Sequence, residues 1–291
     1  MLPVKQTASA FLAYFGVQLS RSARSQALRQ LAGAVNLLNH PEASPRAAME
    51  CLGHATLALQ LDWLLRECQI DCVLDVGANN GQFAAELRAL GYRQRIASFE
   101  PMSACVATLR QLAARDEAWT IFPCGLGSTP GRRELNHFAD PTFSSLHAIN
   151  PDAPAEFGRL VEPTGTESIE LRTLDAVWAE AVVSCGATRV LLKTDTQGHD
   201  LEVLRGGTRR LADCAAVMCQ LSFAPIYADV PGYRDLLAFL VEHGFECTGI
   251  HPLSYRADRP AMIEANVLFI NTALARQRAP ARPAASLANS L

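Results

Sequence analysis

The sequence predicts an α/β fold: a seven-stranded, mostly parallel Rossmann-like sheet with one antiparallel strand near the C-terminus, helices on both faces, and extra N-terminal helices. Three observations carry this expectation. From Ile70 onward, apolar runs of strand length alternate with segments of helical periodicity, the order that builds a parallel sheet covered on both sides. The first run ends at Asp75 and a turn holding Gly77 and Gly81, after which Phe83, Leu87 and Leu90 recur at helical spacing. The last two apolar runs, Phe245 to Ile250 and Ala265 to Ile270, are close enough in sequence to form an antiparallel hairpin.

The 291 residues, 49% of them hydrophobic, suit one large domain with an appendage. Residues 1–66 read as an N-terminal helical appendage, 67–272 as the α/β domain, and 273–291 as a disordered tail rich in alanine, arginine and proline. A formal net charge of -3 gives no reason to expect a nucleic-acid partner. The nine cysteines form no CxxC pair, and Cys72, Cys124 and Cys219 sit inside apolar strands. That usage points to a reducing, cytoplasmic setting and away from structural zinc.

Near the N-terminus, Phe11, Leu12, Tyr14, Phe15 and Leu19 precede Arg21, Arg24 and Arg29. The apolar part is too short for a membrane span and lacks the marks of a secretory signal. It reads as a helix packed on the core or on a second subunit of a homodimer, in preference to peripheral contact with a membrane. A second helix, Arg46 to Arg66, follows the break between Pro41 and Pro45 and carries Leu57, Leu61, Leu64 and Leu65. Further along, Ser103 is placed to cap a helix with an inward stripe of Val106, Leu109, Leu112 and Ala113. A third strand, Trp119 to Cys124, ends at Gly125. The alternation then breaks over about residues 131–171, where short strands at Arg132 to His137 and Ser168 to Leu171 flank a proline-rich stretch. So long an insertion reads as a substrate-facing flap, with Phe143, Ser144 and Ser145 as contact residues. A fourth strand, Arg189 to Lys193, leads into Asp195, Gln197, Gly198 and His199 at the carboxyl edge, where ligands of open α/β sheets collect.

The loop at 75–81 reads DxGxxxG, which is neither the dinucleotide GxGxxG nor a phosphate-binding P-loop. An acid at the strand tip repels a pyrophosphate but holds an ammonium group, so Asp75 favours a ligand with a cationic end. Glu100, at the second strand tip, is placed to accept hydrogen bonds from two ribose hydroxyls. Amine and ribose together describe S-adenosylmethionine. The expected cofactor contacts are Asp75, Gly77, Ala78, Asn79, Gly81, Gln82, Glu100 and Pro101, with Cys124 and Gly125 at the adenine edge, where the glycine leaves room for a flat ring. Asp195, emerging at the carboxyl edge beside the first loop, completes the set.

The segments DVGANNGQF, SFEP, LLKTDTQGHDLEVLRGG, LSFAPIY and LFIN, in that order over about residues 50–272, resemble the FkbM-type family of S-adenosylmethionine-dependent O-methyltransferases. The resemblance implies a seven-stranded class I methyltransferase fold and methylation of a hydroxyl on a small molecule, sugar, or glycolipid- or polyketide-type metabolite, with S-adenosylhomocysteine as product. It also implies that Asp75, Gly77, Asn79 and Gly81 belong to the cofactor loop, Glu100 to the ribose site, and Asp195 to the acidic tip near the methyl. Two positions depart from the family pattern: His199 stands where a bulky apolar or aromatic residue is usual, and Gln220 where a glutamate is common. The imidazole therefore replaces the missing acid as first candidate base, with Asp195 second and Gln220 a substrate contact. A divalent metal is not expected, although Asp195 and Asp200 carry suitable oxygens. Two alternatives stay open: an NAD(P)-dependent oxidoreductase or sugar epimerase, and a non-catalytic methyltransferase-like binding module.

Overall fold

The computed structural model describes residue 29, residues 31–37 and residues 44–276. The apolar cluster from Phe11 to Leu19 and residues 277–291 lie outside the described residues, and with them the expectations of a dimer contact, a membrane contact and, for 277–291, disorder. Residues 273–276, expected in the disordered tail, instead belong to a short helix, Thr272–Arg276. Among the described residues no helix is long and apolar enough to cross a membrane.

A seven-stranded sheet in the order β3-β2-β1-β7-β8-β10-β9 forms the centre. Its strands are β1 (Cys72–Val76), β2 (Arg95–Phe99), β3 (Trp119–Phe122), β7 (Val190–Thr194), β8 (Cys214–Ser222), β9 (Phe245–Tyr255) and β10 (Met262–Asn271). Pairing is parallel from β3 through β8, and β10 runs antiparallel to both β8 and β9. The hairpin expected from the last two apolar runs is present, with its second strand inserted between β8 and β9.

Both faces are buried, and alternation within the central strands divides their side chains between two cores. Leu191 joins Leu57, Leu61, Leu64 and Leu65 of α1 (Pro45–Glu67) and Phe83, Leu87 and Leu90 of α2 (Gln82–Leu90). Val190 and Leu192 face the other way, onto Leu174, Val177 and Trp178 of the helix at Leu174–Ala181. The helix α1 therefore shares a core with the sheet, and it docks on β9 closely enough that a Cβ on Gly53 would lie 2.0 Å from the Pro252 carbonyl oxygen.

Three local expectations are corrected. In α3 (Ser103–Ala113) the N-cap is Met102, whose side chain makes no capping hydrogen bond; Ser103 is already helical, and its amide donates to Glu167 Oε1 at 3.2 Å. The stripe of α3 is Cys105, Val106 and Leu109, while Leu112 is exposed. The insertion is also more regular than its composition suggests. β4 (Gly125–Leu126), β5 (Gly131–Phe138) and β6 (Pro163–Arg172) form a second, three-stranded sheet in the order β4-β6-β5. Strands β5 and β6 overrun the expected ones because their outer halves pair without entering the core: Pro163 to Thr166 are exposed, and only Ile169 and Leu171 of β6 are buried. Leu135, Ile169 and Leu171 pack on Met102 and Cys105, fixing this sheet over the start of α3. The irregular flap is confined to residues 139–162.

The remaining helices are α4 (Leu174–Ala181), α5 (Asp200–Arg205), α6 (Tyr233–Glu242) and α7 (Thr272–Arg276). Thr173 caps α4 by accepting from the Ala176 amide at 3.2 Å.

Candidate active site

At the carboxyl edge of β1, β2, β7 and β8 lies a cavity of about 400 Å³, closed on one side by the flap and on the other by the first half of β10. Gly77, Ala78, Asn79, Gln82, Glu100, Pro101, Gly125, Phe143, Ser144, Asp195, His199 and Gln220 all line it. The chain thus brings together in one hollow residues drawn from six separate segments.

On the β2 side, Glu100 is buried with its two carboxylate oxygens committed in opposite directions. Oε2 accepts from the Asn79 amide at 2.7 Å and Oε1 from the Met102 amide at 2.8 Å. Asn79 reaches this position through a left-handed backbone (φ 47°), which its short polar side chain tolerates. Burial pushes the Glu100 carboxyl up to about 7, against the two amide hydrogen bonds. Each oxygen retains acceptor capacity for a hydroxyl entering the cavity.

Asp75 is elsewhere. It is fully buried beneath the cavity floor, and Lys193 Nζ lies 3.0 Å from its Oδ1 while Ser98 Oγ donates to Oδ2 at 3.1 Å. The expectation that it waits for a ligand ammonium is therefore corrected: an internal cation already neutralises it. The two glycines of the loop also serve the protein's own packing. With φ of 78°, Gly77 passes so near the next strand that a Cβ would lie 2.0 Å from the Asp195 carbonyl oxygen. Gly81, with φ of 84°, faces away from the cavity, where a Cβ would meet the Trp119 ring at 2.9 Å.

At the third strand tip, Gly125 lines the cavity, but the space beside its Cα is filled by Leu171, 2.7 Å from the ideal Cβ position. Cys124 faces a different hollow, among Arg95, Phe122, Arg172 and Glu180, and its assignment as a cofactor contact is corrected. Burial raises its thiol to about 11.

The β7 loop supplies the ionic centre. Lys193 is buried yet lines the cavity, and donates to the Gly77 carbonyl at 3.0 Å. Burial works to lower its pKa, but Asp75 and then Asp195 outweigh that effect and hold the ammonium above its usual value. Asp195 Oδ2 lies 3.9 Å from Nζ, and its Oδ1 accepts from Gln197 Nε2 at 2.8 Å. Gln197, left-handed at φ 53°, also donates from Nε2 to Gln220 Oε1 at 2.9 Å, and its own Oε1 accepts from the Tyr227 hydroxyl at 2.8 Å. One amide thus holds two cavity residues in fixed orientations.

His199 lines the cavity, but its Nδ1 lies 3.2 Å from His147 Nε2 of the flap. Its Nε2 would be 2.9 Å from a Cβ on Gly127. Burial first, and then His147, push its pKa down to about 4. An imidazole so weakly basic is a poor acceptor for a hydroxyl proton, which moves it behind the carboxylates as a base. In the flap, Phe143 and Ser144 face the hollow, and the buried Ser144 Oγ has no hydrogen-bond partner among the described residues. The Thr196 Oγ1 at the same wall is equally unpartnered. Ser145 is corrected from contact to anchor: it is buried and donates to the Gln197 carbonyl at 2.6 Å.

Two polar residues of the last strand, one of them a carboxylate, also reach the cavity. Glu264 and Asn266 of β10 stand opposite Ser222 and Gln220 of β8 and line the hollow. Their signal is a glutamate and an asparagine two apart in the mostly apolar run Met262 to Ile270, the glutamate one residue before the expected start of the strand. Burial, aided by Asp195 and Asp200, raises Glu264 to about 7. Among the described residues no three His, Cys, Asp or Glu side chains converge as metal ligands. Asp200 is buried under the loop, raised to about 6 chiefly by desolvation.

The family model for the methyltransferase FkbM domain matches residues 75–247. A curated relative, "Methyltransferase sdnD" of Sordaria araneosa, is 30% identical over 155 residues, covering 46% of this chain and 59% of its own length. The chain therefore spans less than two thirds of that relative. Among solved structures, the precorrin-6y C5,15-methyltransferase of Geobacter metallireducens GS-15 is similar with a TM-score of 0.39 at 11% identity, over 75% of this chain and 86% of its own. Aeropyrum pernix fibrillarin, solved with natively bound S-adenosyl-L-methionine, gives a TM-score of 0.39 at 12% identity, over 69% and 66% of the two chains.

Proposed function

Because the chain belongs to the methyltransferase FkbM family, we propose that it transfers the methyl group of S-adenosylmethionine to a hydroxyl of a small molecule, sugar, or glycolipid- or polyketide-type metabolite. S-adenosylhomocysteine is then the product. The observation that carries this reading is the buried Glu100 carboxylate, fixed by two loop amides and lining the cavity with acceptor capacity left over. That is the chemistry a ribose diol requires.

The rest of the hollow fits the same donor. Asn79, Gln82 and Pro101 surround the Glu100 end, while Lys193 offers a cation and Asp195 an anion for the two charges of an amino-acid group. This revises the origin of the ammonium contact, from Asp75 to Asp195. When bound, the sulfonium supplies an electrophilic methyl. The protein's part is to hold an acceptor oxygen in line with it, and alignment alone is worth ~7 to 11 kcal/mol. Phe143, Ser144 and Gln220 wall the acceptor side.

The direct test is a calorimetric titration of the full chain with S-adenosylhomocysteine and, separately, with NAD. Binding of the former, lost in Glu100→Ala, is expected. Binding of NAD in its place would overturn the proposal in favour of an oxidoreductase or epimerase, and binding of neither would favour a non-catalytic module.

A further inference from the structure

Resting on the methyl-transfer reading, we infer that Glu264 is the catalytic base that takes the proton of the acceptor hydroxyl, with the Gln220 side-chain amide holding the same oxygen. The two side chains come from adjacent strands: Asn266 of β10 is the register partner of Gln220 of β8, and Glu264 stands two residues along β10 from Asn266. Both Glu264 and Gln220 line the cavity.

The orientation of Gln220 follows from its neighbour. Gln197 Nε2 donates to Gln220 Oε1, so the Gln220 Nε2 hydrogens are the ones left over, without a protein acceptor among the described residues. They are suited to hold an oxygen. Glu264 is spent far less than the other carboxylates of the site. Its one hydrogen bond among the described residues is a long one, from Ser254 Oγ to Oε2 at 3.4 Å. Glu100, by contrast, takes two short amide bonds, and Asp195 is held by Gln197. The groups facing Glu264 are Asp195 and Asp200 of the β7 loop, Tyr227 after β8, and Ser254 of β9, with Lys193 beyond Asp195. Desolvation and the two aspartates give it a proton affinity near neutrality, where a base works best.

The step balances without any further reactant. The hydroxyl proton passes to a Glu264 oxygen, a lone pair of the acceptor oxygen forms the O–C bond, and the C–S bond pair stays on sulfur as the sulfonium becomes a neutral thioether. Protonated Glu264 later returns its proton to solvent.

The test needs no identified acceptor, because the donor carries one more positive charge than the product. Calorimetry of the full chain with S-adenosylmethionine and with S-adenosylhomocysteine, from pH 6 to 8.5, gives the ratio of their affinities. Contributions from Glu100 and from the shared amino-acid end cancel in that ratio. In the wild type the preference for the sulfonium form is expected to grow about 5- to 10-fold across the range, as Glu264 ionises beside it. In Glu264→Gln and Glu264→Ala the ratio stays flat, with affinity for S-adenosylhomocysteine at pH 6 within about 2-fold of wild type. A ratio that keeps its pH dependence in both variants assigns the titration to another group, such as Asp200, and overturns the inference while leaving the donor site standing. Failure of S-adenosylhomocysteine to bind wild-type protein overturns both.

Discussion

Lys193 Nζ lies 3.0 Å from Asp75 Oδ1 and 3.0 Å from the Gly77 carbonyl oxygen. A lysine on one strand thus neutralises the acid at the tip of its neighbour and fastens the glycine loop above it. Trp119 Nε1 extends the chain by donating at 2.9 Å to Ser98 Oγ, which in turn donates to Asp75. The acid of the loop acts on the site through Lys193 and does not line the cavity.

Asp75→Asn should therefore damage stability before it damages recognition. Removing one partner strands a buried ammonium, a change that costs ~3 to 5 kcal/mol. Urea denaturation of wild type and variant measures it directly. A loss below about 1 kcal/mol would mean that Asp195, 3.9 Å from Nζ, suffices as counter-charge.

The pH dependence of cofactor affinity follows from Glu100. Its folded pKa of about 7 lies above its ordinary 4.5, so the apo protein holds this contribution to stability in full below the lower value and loses it as pH rises through about 7. Ribose hydroxyls donate to the ionised form, so affinity for S-adenosylhomocysteine is expected to rise from pH 6 to 8 and then level. Glu100→Gln should flatten that profile and weaken binding by ~10-fold or more. An unchanged profile in the variant would remove Glu100 from the ribose site.

Much of this arrangement was legible because it depends on local pattern. Apolar runs of four to seven residues and glycine turns mark where the strands end, and strand ends are where this fold class collects ligands. Hence Asn79, Glu100, Asp195, His199 and Gln220 all reach one cavity. What pattern could not supply was the partner of each charge. Nothing in the spacing of Asp75 and Lys193 says that two strands place them side by side, since that follows from β1 pairing with β7 across 118 residues, Asp75 opposite Lys193. Likewise Glu264 enters the site only because β10 inserts next to β8. His199 illustrates the converse. Its position was legible, but its burial against His147 was not, and burial decides its basicity.

The flap is held by Tyr227, whose hydroxyl lies 2.7 Å from the Phe143 carbonyl oxygen and 2.8 Å from Gln197 Oε1. Tyr227→Phe keeps the ring packed with Phe138, Phe157 and Ile226 and deletes only these contacts. It should cost ~1 to 3 kcal/mol. Amide hydrogen exchange should accelerate selectively over residues 139–162, while β1, β7 and β8 remain protected. Uniform acceleration would show that the hydroxyl supports the whole domain instead of the flap.

Gly77→Ala and Gly81→Ala separate two ways in which a glycine can be required. Both positions have left-handed backbones, which cost a side-chain-bearing residue ~1 to 2 kcal/mol before any contact is made. They differ in what a new methyl meets. At Gly81 the obstacle is the edge of the Trp119 ring and a Leu109 methyl, at 2.9 and 3.1 Å, side-chain atoms able to shift by a few tenths of an ångström. At Gly77 it is a carbonyl oxygen at 2.0 Å, belonging to Asp195, whose amide is bonded to Val76 at 3.0 Å and whose side chain is held by Gln197. Backbone so tethered cannot yield without moving β1 away from the β7 loop, which would part Lys193 from the Gly77 carbonyl and open the cavity floor. Gly81→Ala is accordingly expected to melt a few degrees lower and still bind S-adenosylhomocysteine, whereas Gly77→Ala should lose binding even at temperatures where circular dichroism shows it folded. Equal affinities in the two variants would place the β1 loop outside the donor site.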